Sequence, residues 1–112
     1  MAEEKVPRWY TIVREKHPGV MAALDQLGLA VRREGPLDHK TAHLVQLAAA
    51  AAIRSEGAVH SHTRRALRAG ATREEVVHAL MLLVSTIGFP SVSAALSWAY
   101  EELEKPPEGS VG

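Results

Sequence analysis

The residues best suited to chemistry are two pairs of histidines: His60 and His62 within SEGAVHSHTRRALRAGAT (residues 55–72), and His39 and His43 just before them. On a helix, Ser55, Ala58 and His62 follow one another at spacings of three and four, so they share a face, which Ala66 and Ala69 continue. Small apolar neighbours favour a neutral imidazole at His62. Such a ring can take a proton or ligate a metal. The same position also suits a core histidine satisfied by a backbone carbonyl. His39 and His43 form an H-x-x-x-H pair whose rings, one helical turn apart, can bind one ion. His62 is the candidate third ligand, and the Glu of an H-E-x-x-H motif is missing. His60 lies two residues from His62 and points to another face, which reads as a surface or subunit contact. Arg64, Arg65 and Arg68 read as a solvated face, with Arg65 nearest the rim of His62. Ser55 has no nucleophile elbow around it. His17 and His78 have no partner recognisable in the sequence.

The elements that must carry these residues are helical. A cluster of Trp9, Tyr10, Ile12 and Val13 suits a short helix or arm. Pro18 fits a first helical turn, and Val20, Ala23, Leu24, Leu27 and Val31 keep helical spacing until Gly35-Pro36. Asp38 is a candidate N-cap for a helix over 39–54, HKTAHLVQLAAAAAIR, apolar round most of its circumference. Its polar residues His39, His43 and Gln46 fall on one face, toward solvent or a pocket. Ser55-Glu56-Gly57 should relax the chain before a helix over 58–69. Gly70 suits a left-handed helix stop, and Thr72-Arg-Glu-Glu75 is a capping box for a helix running through Leu83 to about Ile87. Gly88-Phe89-Pro90 breaks it, Ser91 starts the last helix, and the tail PPEGSVG is expected to be mobile. The sum is five or six helices, no strand and no repeat: a single all-α domain over 1–112.

Composition narrows the functions. Thirteen basic residues balance thirteen acidic ones, so no positive field draws nucleic acid or an anionic membrane. Cysteine is absent, which removes disulfides and thiol chemistry. No apolar run follows a basic start, and neither apolar stretch, near 44–53 and 76–100, suits a bilayer. A cytoplasmic, soluble protein without membrane contact is expected. Apolar residues make up 46% but aromatics only 4%, so the core is built from small side chains that bury little area each. Helices 39–54 and 76–87 are too apolar for one small bundle to cover, and a homo-oligomer is expected.

The residues LDHKTAHLVQLAAAAA, HTRRALRAGATREEVVHAL and GFP, between Leu37 and about Ala95, resemble the carboxymuconolactone decarboxylase superfamily, which includes the alkylhydroperoxidase AhpD-like proteins. The resemblance implies an AhpD-like helical bundle built on a helical hairpin and assembled as a trimer or hexamer. In the AhpD-like branch a Glu and a Cys-x-x-Cys-x-x-x-His run reduce peroxides. Here the family His falls on His62, the two cysteine positions on Ser55 and Ala58, and the Glu position on His43. Neither Ser nor Ala cycles between thiol and disulfide, so peroxidase activity is not expected. The resemblance implies instead a pocket lined by His43 and His62. Three functions fit it. In one, a non-redox enzyme acts on a small organic acid or lactone, with His62 and His43 as catalytic residues and Ser55, Ala58 and Arg65 around the small-molecule ligand; no cofactor is then required. In another, a divalent metal is held by His39, His43 and His62. In the last, a non-catalytic homologue binds a ligand.

Overall fold

The computed structural model describes residues 6–106. Among them are seven helical segments and no strand: α1 (Arg8–Lys16), α2 (Pro18–Arg33), α3 (His39–Ala52), α4 (Glu56–Arg68), α5 (Arg73–Met81), α6 (Val84–Ile87) and α7 (Phe89–Leu103). The all-α expectation holds. Residues 107–112, most of the tail expected to be mobile, lie outside the described residues. None of these helices is long and apolar enough to cross a membrane.

The described residues divide into two compact units, residues 6–36 with 106, and residues 37–105. In the first, Arg14 bridges α1 and α2: it reaches Asp25 at 2.9 Å, and its guanidinium donates to the Tyr10 hydroxyl. One stripe of α2, namely Val20, Leu24, Leu27 and Val31, is more than half exposed.

The second unit holds α3 to α7. Asp38 caps α3 as expected, its Oδ1 accepting from the Thr41 amide at 2.8 Å. That bond holds the Asp38 carboxyl below the usual aspartate range. The alanine run of α3 lets α4 lie close against it. Leu47, Ala50 and Ala51 of α3 join Val59 and Ala66 of α4 in a core that Val76, Leu80, Ala95 and Ala99 complete. The capping box of α5 is present, with Thr72 and Glu75 exchanging side-chain and backbone hydrogen bonds. Glu75 also takes a salt bridge at 3.1 Å from Lys40, on α3. The backbone bond from Thr72 and then the Lys40 contact hold the Glu75 carboxyl below its usual range.

Several boundaries differ from the sequence reading, among them the end of α3, which falls at Ala52 rather than at residue 54. α4 begins at Glu56, so Ser55-Glu56-Gly57 is a helix start rather than a relaxed link: Ser55 is the N-cap residue, and its carbonyl accepts from Val59 at 3.0 Å. The helix expected to run through Leu83 to about Ile87 ends at Met81. There the Leu83 amide shifts to the Leu80 carbonyl, a tighter bond than the α-helical one, and α6 follows as a separate turn. The last helix starts at Phe89, two residues early, because Gly88 makes the break alone at φ +86° and Pro90 fits the first turn.

α3 and α4 end in the same way. The Ser55 amide reaches back to Ala50 and that of Arg54 to Ala51; the Ala71 amide reaches Ala66 and that of Gly70 to Leu67. Each is a Schellman motif, which needs one residue in the left-handed region. Gly70 fills it at φ +102° and Arg54 at φ +57°. Only the glycine is free of Cβ strain there. Gly70→Ala should therefore destabilise the protein by about 1–2 kcal/mol, a fall of roughly 5–10 °C in melting temperature. Arg54→Gly should leave the melting temperature unchanged or raise it. Calorimetry of the two variants checks both directions.

Candidate functional site

α3 and α4 bring His43 and His62 together. His43 sits on the buried side of α3, 7% exposed, and His62 is half-buried on α4. Their Nδ1 atoms lie 3.4 Å apart and their ring centroids 5.6 Å apart. A contact between two Nδ1 atoms requires a proton on one of them: that ring donates and the other accepts. The contact uses one nitrogen of each ring. The donor ring, if neutral, has an Nε2 lone pair; the acceptor ring carries its proton on Nε2. Together they offer a proton acceptor and a proton donor side by side.

The other expected residues take different places. Ser55 is half-buried and makes no side-chain capping hydrogen bond. Ala58 is half-buried on the same helix, and Arg65 is exposed. His39 is exposed in the first turn of α3. Among the described residues, the three histidines His39, His43 and His62 do not bring donor atoms within 4.8 Å of one another as a ligand set. His17 is exposed between α1 and α2, and His78 lines a shallow groove between α5 and α7 with Arg73, Val77, Met81 and Tyr100, away from the histidine pair.

Gln46, one turn beyond His43, was legible as part of a polar stripe but not as a site residue. Its Oε1 is buried and has no hydrogen-bond partner among the described residues, as is true of Oγ1 of Thr63. A buried acceptor left unpaired costs about 1–3 kcal/mol. Gln46 is thus a buried acceptor without a donor among the described residues, one helical turn from His43.

Two sequence readings are corrected on the far side of α4. His60 is no surface residue: its side chain is 17% exposed, and its Nδ1 lies 2.5 Å from Oε2 of Glu102. Arg64 does not belong to the solvated face; it reaches the same oxygen at 3.1 Å. Lys105 holds the other oxygen at 2.8 Å. Glu102 is 6% exposed. Its partners lie 38 and 42 residues back in the chain, beyond the reach of helical spacing. Burial alone pushes the Glu102 carboxyl up, but the hydrogen bonds from Lys105 and His60 and the charge of Arg64 outweigh it and hold the group below its ordinary value of about 4.5. A carboxyl lowered by folding adds stability above that value and loses it as the pH falls, because the unfolded chain takes up the proton first. The melting temperature should therefore drop as the pH is lowered from about 6 toward about 3, less steeply in Glu102→Gln. At neutral pH Glu102→Ala should cost about 3 kcal/mol, since it removes the buried carboxylate that Lys105, His60 and Arg64 share.

Residues 18–101 match the profile described as the carboxymuconolactone decarboxylase family. The fold is also similar to the crystal structure of an apo carboxymuconolactone decarboxylase family protein from Legionella pneumophila, with a TM-score of 0.71 and 30% sequence identity over 84% of this chain and 87% of that one. No match was found among the curated proteins.

Proposed function

The chain belongs to the carboxymuconolactone decarboxylase family, and from that premise we propose that it is a non-redox enzyme acting on a small organic acid or lactone with His43 and His62 as its acid–base pair. The observation that carries this reading is the 3.4 Å separation of the two Nδ1 atoms. In decarboxylation the bond to the carboxylate breaks, carbon dioxide leaves, and the electron pair passes into an adjacent conjugated carbonyl. The carbon left behind needs a proton. An imidazole Nε2–H delivers it, and the ring recovers its proton from solvent. Arg65, exposed on the same helix, is the candidate to meet the incoming carboxylate. The Ser55 hydroxyl is a candidate donor to a lactone oxygen, and the orphaned oxygen of Gln46 a candidate acceptor from a hydroxyl.

A second reading draws on the same distance. Two nitrogens about 3.4 Å apart suit one edge of a tetrahedron around zinc, given metal–ligand bonds of roughly 2.0–2.1 Å. It has the weaker support, since His39 does not join the pair in a three-donor group. The absence of cysteine supports the expectation that peroxide reduction stays at background. Exposed Val45, Ile53, Met81, Leu82 and Phe89 support a homo-oligomer, and the proposed setting is the cytoplasm.

The test is a decarboxylation assay over small β-keto acids and carboxylated lactones. His43→Ala and His62→Ala should each lower turnover by roughly 10²–10⁴-fold, with helical content and metal content unchanged. Loss of a bound metal in the same variants would move the assignment to the metal-dependent reading. Wild-type protein that binds members of the panel without turning them over would overturn catalysis in favour of a binding role. Light scattering at micromolar protein should give a multiple of 12.1 kDa.

A further inference from the structure

We propose a divalent-metal site, separate from the histidine pair, formed by Glu56 and His60 of α4 and Glu101 of α7. Glu56 and His60 are one helical turn apart, so their side chains meet on one face. The His60 Nε2 lies 3.5 Å from Oε2 of Glu56 and 3.3 Å from Oε2 of Glu101. All three donor atoms fall within 4.8 Å of one another. Zinc bonds of roughly 2.0–2.2 Å to nitrogen and carboxylate oxygen set a tetrahedral edge of about 3.3–3.6 Å. Both distances from Nε2 are already edges of that size, so an ion requires only that the two carboxylates approach each other.

The arrangement around His60 points the same way. Its Nδ1 faces the buried carboxylate of Glu102, which fixes that proton on Nδ1 in the neutral ring and turns the Nε2 lone pair outward. A carboxylate on the far nitrogen is the usual support of a metal-bound histidine. The lone pair then faces two carboxylate oxygens. With a neutral ring three acceptors converge there, and an ion between them would take the place of the proton that an Nε2–H otherwise supplies. The charge count suits a divalent ion. Arg64 and Lys105 face Glu102, whereas Glu56 and Glu101 find their ion-pair partner, among the described residues, in His60. With a neutral ring, two negative charges remain for the ion to balance. The side chains of Glu56 and Glu101 are 60% and 63% exposed, so an ion enters from solvent and keeps solvent in its remaining position. The donor set, one nitrogen and two carboxylates, suits zinc, and it also suits other first-row ions that accept mixed ligands.

The experiment is a Zn²⁺ titration of the full chain against a chromophoric chelator, paired with thermal melts with and without the ion. His60→Ala also strips Glu102 of a partner, so the deciding variant is Glu56→Gln with Glu101→Gln, two exposed positions whose change leaves the core alone. Wild type should take one equivalent through this site and melt at a higher temperature with Zn²⁺. The double variant should bind at least about tenfold more weakly and lose the thermal shift, while His62→Ala retains both. If the double variant titrates like wild type, if binding disappears only with His43→Ala or His62→Ala, or if micromolar Zn²⁺ does not bind, the proposal fails. None of these readouts involves turnover, so its failure is distinct from failure of the acid–base reading.

Discussion

The close packing of α3 against α4 is the constraint on which the second unit depends. Both helices meet through small side chains, alanine above all, with Leu47 and Val59 filling the gaps. Small residues bury little area each, so the seam contributes through closeness rather than bulk. That closeness has a chemical result. Side chains that reach from one helix to the other at its polar end must touch, and those side chains are His43 and His62. A larger residue in place of Ala50 or Ala51 would push the helices apart and separate the rings without touching either.

Much of this was legible in the sequence because it is local. The Asp38 cap, the capping box at Thr72 and the glycine stop at Gly70 all act within a few residues, and each is visible as a spacing. Of the polar stripe of His39, His43 and Gln46, His43 is buried and Gln46 half-buried, while His39 is exposed. The meeting of His43 and His62 was not legible from spacing; it followed from placing the chain on a known family's motif.

What stayed hidden was of two kinds. Arg54 occupies a left-handed position that glycine usually signals. With no glycine there, the end of α3 read two residues long and the start of α4 two residues late. Glu102 was hidden for another reason. A glutamate near a C-terminus reads as surface, and only the packing of α7 on α4 turns it inward to His60 and Arg64. His60 and Arg64 were misread with it, since the environment of each is decided by whichever carboxylate the fold delivers.

His60 and His62 stand two residues apart on one rigid helix, which sets them roughly 200° apart around its axis. One ring works toward α7 and the other toward α3. α4 therefore acts as a shaft with a fixture on each side, and both fixtures share one angular setting. Whatever settles the rotation of α4 at its acidic flank also settles the ring spacing at the histidine flank. The tolerance of each site to a turned or shifted helix is then set by the stricter of the two, and neither can be tuned without re-indexing the other.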